Sequence, residues 1–310
     1  MLVVLAGCRS AMQPNPSGLP AAARGLSWVS PDANLSKEDL FYVSDSGADA
    51  VYVYRWRTGE LKGALTGFNG VNGLCVDRAG DIWVTNAGAS ELEEYAHGGT
   101  QPIATLTDPG EYPFTCSVDP RSGNLAVTNV SVSGPSGNVG VYADASGTPV
   151  PYTDSKFSSY FSCAYDDKGN LYADGWDAYV SDIFSIGELH KGGARFENLS
   201  LHPTIKPLLL GGMRWDGARL AVGDMGSLYE YTVKGRSATM SGYTPLTSEW
   251  LSGAFAIRTF ASGAQTVVAA DSAGNPSAVQ YWPYPKGGTP SATITNALDA
   301  PHGTAVSIAQ

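Results

Sequence analysis

The chain has 310 residues and a formal net charge of −10, with no cluster of Lys or Arg, which excludes the basic stripe that nucleic-acid binding requires. Hydrophobic residues make up 43% and charged residues only 15%, below the usual quarter (about 25%), so a sizeable core is within reach. With 37 glycines and 19 prolines, no window of twelve residues keeps a 3.6-residue apolar period uninterrupted, which excludes a helical bundle and points to short strands joined by turns.

The chain opens Met1-Leu-Val-Val-Leu-Ala-Gly-Cys8-Arg9. An apolar stretch, small residues and then a thiol suit membrane insertion, peptidase cleavage and acylation in that order. Leu5-Ala6-Gly7-Cys8 resembles the lipobox of bacterial lipoproteins. The resemblance implies lipidation at Cys8, a membrane anchor through that lipid, and residence at the bacterial cell envelope on its periplasmic or extracellular face. Arg9 after the Cys implies outer-membrane sorting if the cell is Gram-negative. Only seven residues precede Cys8 and none is basic, so this segment reads as part of a longer signal. Residues 1–8 are thus expected to be a partial lipoprotein signal, 9–25 a flexible tether, and 26–310 the folded domain. No later run of eighteen apolar residues suggests a spanning helix.

From residue 40 onward one pattern recurs: an apolar run closing on Asp or Asn. The copies are Leu40-Phe-Tyr-Val-Ser-Asp45, Ile82-Trp-Val-Thr-Asn86, Leu125-Ala-Val-Thr-Asn129, Leu171-Tyr-Ala-Asp174, Leu220-Ala-Val-Gly-Asp224 and Val267-Val-Ala-Ala-Asp271. Their last residues are spaced 41, 43, 45, 50 and 47 apart, the period of an all-β blade. Each copy is preceded by a short strand and a tight turn, as in Asp77-Arg-Ala-Gly-Asp81 and Asp166-Asp-Lys-Gly-Asn170, where Asp and Gly supply the side-chain bond and positive φ that such turns need. An alternating third strand follows, such as Val51-Tyr-Val-Tyr54 or Val139-Gly-Val-Tyr142, then a glycine turn and a polar fourth strand such as Pro102-Ile-Ala-Thr-Leu106. Six units predict an all-β, six-bladed β-propeller of four-stranded antiparallel blades. Two segments compete for the innermost strand of the first blade, Ser27-Trp-Val-Ser30 and His302-Gly-Thr-Ala-Val-Ser307, and the C-terminal one is expected to close the ring. The fourth copy is irregular, with Asp174 one residue early and Asp177-Ala-Tyr-Val-Ser-Asp182 lengthening its loop.

Asp77-Arg-Ala-Gly-Asp-Ile-Trp-Val-Thr-Asn86 and Asp166-Asp-Lys-Gly-Asn-Leu-Tyr-Ala-Asp174 resemble the NHL and SMP-30/gluconolactonase-like six-bladed propellers. Through Tyr52-Val-Tyr54 and Glu94-Tyr-Ala-His-Gly-Gly-Thr100 the chain is similar to uncharacterised bacterial propeller lipoproteins. The resemblance covers about residues 26 to 310 and speaks to blades far more than to function.

Cys75, Cys116 and Cys163 all fall in first-strand positions. Cys116 and Cys163 occupy matching places in successive repeats and could bridge, but buried free thiols acting as small hydrophobes are the preferred reading. The six recurring Asp/Asn residues are read as loop-capping hydrogen bonders, because a feature present in every blade is most simply structural.

Ligands of propellers usually sit on the rim formed by the first-strand starts and second-strand ends. That rim is expected to hold Asn72, Glu111, Tyr112, Tyr160, Trp176, Asp177, Met225, Glu249, Trp250 and His302. Trp176-Asp177 and Glu249-Trp250 each set an aromatic beside a carboxylate, which suits a sugar or another polar ring, although plain loop packing explains such pairs as well. The SMP-30 resemblance implies, as an alternative, a divalent-metal-dependent lactonase with one calcium or zinc ion in the channel, held by a Glu, two Asn or similar, and an Asp. Only Asn72 stands at a matching place, with Glu111 and Glu249 displaced by two or three residues. A lyase resembling virginiamycin-inactivating propellers would need channel histidines, and His302 alone qualifies. No cofactor and no metal site are therefore expected. The preferred function is an envelope-anchored, monomeric binding or scaffold lipoprotein whose partner is a protein, peptide or glycan at the cell envelope.

Overall fold

The computed structural model describes residues 26–30, 35–130, 137–180, 183–207, 210–247 and 254–310. Among these residues there is no α-helix, and all regular structure beyond short 3-10 turns is β. The first sheet contains β1 (Trp28–Val29), β2 (Leu40–Asp45), β3 (Ala50–Arg55) and β4 (Leu61–Thr66). The second runs β5 (Val71–Val76), β6 (Ile82–Asn86), β7 (Glu91–Tyr95), β8 (Pro102–Thr107), and the third β9 (Pro113–Val118), β10 (Leu125–Asn129), β11 (Asn138–Tyr142), β12 (Val150–Tyr152). The fourth runs β13 (Cys163–Tyr165), β14 (Leu171–Trp176), β15 (Phe184–Leu189), β16 (Glu197–Asn198). The fifth takes β17 (Ser200–His202) as an extra outer strand, parallel to the last of β18 (Leu210–Trp215), β19 (Leu220–Asp224), β20 (Ser227–Lys234) and β21 (Ser237–Pro245). The sixth runs β22 (Ala256–Thr259), β23 (Gln265–Asp271), β24 (Ala278–Tyr284), β25 (Ala292–Ile294). The last strand, β26 (Pro301–Ser307), returns to the first blade and pairs antiparallel with β2, from Leu40 opposite Ser307 to Asp45 opposite Pro301. The chain is therefore a six-bladed β-propeller whose ring is clasped by its terminal strand. Trp28–Val29, the competing segment, lies at the other side of that blade as an outermost strand on β4.

The blades cohere because successive residues of a strand face opposite sides of its sheet. Phe41 packs into the seam with blade six, beside Val268 and Tyr281, while its neighbour Tyr42 packs into the seam with blade two, beside Leu74 and Val84. Trp83, next to Val84, turns the other way and meets Leu125 and Tyr142 of blade three. The same division continues through Ala126 with Ala173, Tyr172 with Val222, and Ala221 with Val267. A single blade would leave both faces wet. Burying one such side chain is worth about 1.5–3 kcal/mol, so closure of the ring, rather than any one blade, stabilises the fold.

A second device repeats on the channel side. The penultimate residue of β2, β6 and β10 is a hydroxyl: Ser44, Thr85 and Thr128. Each accepts a backbone N–H from its own blade's first strand, from Gly303 (2.8 Å), Gly73 (2.7 Å) and Thr115 (3.1 Å). Each also donates to a carbonyl in or just before the first strand of the next blade, at Asn72, Phe114 (3.1 Å) and Phe161 (3.0 Å).

The register corrects the reading of the fourth repeat. Asp174 occupies this hydroxyl position and accepts the Ser162 N–H (2.9 Å) and hydroxyl (2.8 Å). The loop-capping role belongs to Asp177, because β14 runs two residues further, through Gly175 and Trp176. Asp177 accepts the N–H groups of Tyr179 (2.8 Å) and Val180 (3.0 Å), as Asp45 accepts those of Gly47 and Ala48 (3.1 Å each).

The cysteines are also corrected. Cys75 bridges Cys116, joining the first strands of blades two and three, and Cys163 is the free, buried thiol. Cys75 and Cys116 stand on adjacent inner strands with Cα atoms 5.5 Å apart, within disulfide reach. Cys163 instead offers its thiol to the Ala126 carbonyl at 3.8 Å, and burial raises its pKa to about 12.

Candidate functional site

The first-strand starts of blades one, three and four, with the end of the second strand of blade four, gather an aromatic chain at one channel mouth. His302, the second residue of β26, meets Phe114 edge-on at 5.3 Å, Phe114 meets Phe161 at 6.1 Å, and Phe161 meets Trp176 at 6.3 Å. Edge-to-face geometry sets positive ring edges on negative ring faces, a favourable arrangement for each pair. All four are partly accessible. His302 Nδ1 is buried with no hydrogen-bond partner, and burial lowers the imidazole pKa to about 4, so the ring is neutral. Nδ1 is therefore covered, and what His302 adds to the mouth is the partly accessible remainder of a neutral ring.

Trp176 and His302 are thus linked as rim residues through Phe114 and Phe161, which sequence reasoning passed over in favour of Tyr112 and Tyr160. Tyr160 is fully buried, stacked on Phe157 at 4.9 Å with its hydroxyl accepting the Asp154 N–H at 2.6 Å. Tyr112 is half-buried and contributes its carbonyl to the Val130 N–H at 3.1 Å. Asn72 is buried and donates its amide to Gly70 (3.3 Å). Glu111 accepts from the Asn138 amide at 2.8 Å. Asp177 is consumed by its loop: besides the two N–H bonds it takes the Ser185 hydroxyl (2.9 Å) and the Lys156 ammonium (2.5 Å). Burial alone would raise its pKa, but Lys156 and these hydrogen bonds hold it down at about 2. Met225 stands at the β19–β20 turn with a positive φ of 28°. Glu249, Trp250 and Cys8 lie outside the described residues.

The opposite end of the channel opens into a cavity of about 180 Å³ bounded by the far ends of the inner strands, including Cys75, Cys116, Ser117, Arg214, Trp215 and Thr304. Arg214 dominates it. The guanidinium donates to the Met213 carbonyl (3.0 Å) and reaches from blade five to the Leu74 carbonyl of blade two (3.0 Å), the blade facing it across the ring. Burial pulls its pKa below the ordinary arginine value.

Metal-ligand geometry points elsewhere again. Among the described residues, the carboxylate group able to surround an ion is Asp77, Asp81 and Glu94, whose oxygens lie within 4.8 Å of one another. They sit at the turn joining β5 to β6 and on β7. Asp77 and Glu94 line a cavity of about 560 Å³ between blades two and three, shared with Asp119 and Asp144. Burial first, and then the neighbouring charges of Asp77 and Asp81, raise the Glu94 pKa to about 7. This cluster lies on the side of the ring away from Asn72 and Glu111, so the channel set implied by the lactonase resemblance is not what these carboxylates form.

Comparison with solved structures agrees with the architecture. A chain in the crystal structure of a nidogen/laminin complex superposes with a TM-score of 0.68 at 13% identity, covering 88% of this chain and 99% of that one. A protein of unknown function from Bacteroides caccae superposes with a TM-score of 0.61 at 10% identity, covering 87% and 99%. At such identities the likeness is one of fold. No protein-family model matches the chain, and no curated protein matches it significantly. Fold and site together define a six-bladed β-propeller with an aromatic channel mouth.

Proposed function

We propose that this propeller is a binding or scaffold lipoprotein of the bacterial envelope, of the NHL/SMP-30-like type, anchored by a lipid on Cys8 and engaging a protein, peptide or glycan at the mouth formed by Trp176, Phe161, Phe114 and His302. The observation that carries the reading is the edge-to-face chain of four partly accessible rings from Trp176 to His302. Flat aromatic surface of this kind is what sugar rings and aromatic peptide side chains pack against. Support for location comes from the Cys75–Cys116 disulfide, a bond that persists in oxidising compartments, and from the lipobox-like Leu5-Ala6-Gly7-Cys8.

Two measurements test it. Titration with a solubilised peptidoglycan digest, which offers glycan and peptide together, should quench intrinsic tryptophan fluorescence in the wild type and not in Trp176→Ala. Equal responses from both would remove the mouth from the proposal. Cells fed radiolabelled palmitate should label the wild type, and Cys8→Ser should not label.

A further inference from the structure

The far end of the channel carries a charge without an answer. Arg214 takes part in no ion pair among the described residues, and the acceptors of its guanidinium are two neutral carbonyls, Leu74 and Met213. A guanidinium offers five N–H donors, and a cation withdrawn from water is costly unless matched. No carboxylate lines the cavity around it. The walls are the Cys75–Cys116 disulfide, Trp215, aliphatic side chains and two hydroxyls. The Thr304 hydroxyl is spent on the Val268 carbonyl (2.9 Å). Ser117 accepts the Tyr165 N–H (3.1 Å), which leaves its own proton available to an acceptor in the cavity. In a chain of net charge −10, an isolated cation walled by neutral groups is a local choice rather than a consequence of composition.

We propose that the axial cavity at Arg214 binds a small oxyanion, a carboxylate or phosphate group held by the guanidinium with the Ser117 hydroxyl as a second donor. The planar fork of Arg matches two oxyanion oxygens at once, and in a partly dry site such charge-assisted bonds are roughly twice as strong as neutral ones. Size limits the guest. At about 180 Å³ the cavity is smaller than the roughly 300–1,000 Å³ of drug-sized pockets, so it suits a free anion or a single acidic headgroup. The site lies at the end of the channel away from the aromatic mouth and stands or falls independently of the function proposed above.

The test uses the full chain in differential scanning fluorimetry, titrated with sodium phosphate or sodium acetate against sodium chloride at matched ionic strength. The wild type should show a saturable rise in melting temperature with phosphate, acetate or both, and the effective anion identifies the guest class. Arg214→Gln should lose the rise, and Ser117→Ala should weaken it severalfold. No rise beyond the chloride control, or an equal rise in Arg214→Gln, overturns the proposal. Should Arg214→Gln fail to fold, wild-type crystals soaked in selenate decide the matter. Anomalous density within hydrogen-bonding reach of the Arg214 guanidinium supports the site, and density absent there overturns it.

Discussion

Asp174 holds both the backbone N–H and the hydroxyl of Ser162 on one carboxylate oxygen, in the place where blades one to three carry Ser44, Thr85 and Thr128. The three hydroxyls each pass a hydrogen bond to the next blade, whereas the second oxygen of Asp174 has no partner. Burial raises this acid from its ordinary 3.8 to about 7, against the opposing pull of Ser162. Between those values the folded protein binds a proton that the unfolded chain has released. The contribution of Asp174 is therefore intact below about pH 4 and is lost as pH rises through 7, at up to about 1.4 kcal/mol per unit. Asp174→Thr should raise the melting temperature at pH 8 and do much less at pH 4. Melting curves of both proteins across this range check it, and a constant difference would show that the carboxyl is not what titrates.

The blades were legible because three signals coincided: a fixed period, Asp/Gly turns, and β-branched or aromatic alternation. The position of Asp174 was not, since an insertion of Gly175 and Trp176 moves the register without altering the apolar run before it. A slip of that kind is invisible until strand pairing is known. The same parity problem hid Phe161 behind Tyr160, because adjacent residues of an extended chain face opposite ways and composition does not tell which one reaches the channel. Phe114 was hidden differently: β9 begins at Pro113, so Tyr112 precedes the strand and Phe114 is its first aromatic. The Cys75–Cys116 bridge was missed because a bond between neighbouring blades needs residues of opposite parity: Cys75 stands opposite Trp83, the second residue of β6, whereas Cys116 and Cys163 stand opposite Val127 and Ala173, the third residues of β10 and β14, and so face the same way round the ring. Arg214 had no signal at all: only the closed ring brings β18 opposite β5.

His302 should act on stability in the opposite sense to Asp174. Burial lowers its pKa from 6.5 to about 4, so between these values the unfolded chain takes up a proton that the folded mouth refuses. Stability from the neutral ring is complete above about pH 6.5 and is lost as pH falls toward 4. The wild type should lose more stability than His302→Gln over that interval in urea titrations. Parallel pH profiles would mean that His302 is protonated as readily in the fold as outside it.

Reduction should loosen the seam between blades two and three. The Cys75–Cys116 bond closes a stretch of 41 residues, and the chain-entropy argument values such a crosslink at about 3–4 kcal/mol. Cys75→Ser with Cys116→Ser should lower the melting temperature relative to the oxidised wild type, and a reductant should bring the wild type down toward the variant. Cys163→Ala should leave the response to reductant unchanged. A wild type indifferent to reductant would contradict the assignment.

The strongest prediction concerns β26, the strand that clasps the ring. It is bonded along β2 from Ser307 to Pro301 and tied to blade six by the Thr304 N–H on the Ala254 carbonyl (2.9 Å) and the Thr304 hydroxyl on the Val268 carbonyl. Gly303 must be small, because a Cβ there would stand 2.8 Å from the Asn72 carbonyl oxygen and 2.9 Å from the Ser44 hydroxyl. Removing residues 297–310 strips blade one of its inner strand and exposes Phe41, Tyr42 and Val43, all fully buried in the closed ring. The loss is comparable to the whole margin of about 5–15 kcal/mol by which domains stay folded. The truncated chain should therefore unfold or aggregate at temperatures where the intact chain is native, and a synthetic 297–310 peptide added in trans should restore part of its melting temperature. Thr304→Val, which removes only the hydroxyl tie, should cost about 1–2 kcal/mol. A truncated chain that melts like the full one would mean that the ring holds without its clasp, and that the inner edge of β2 is stable facing the channel unpaired.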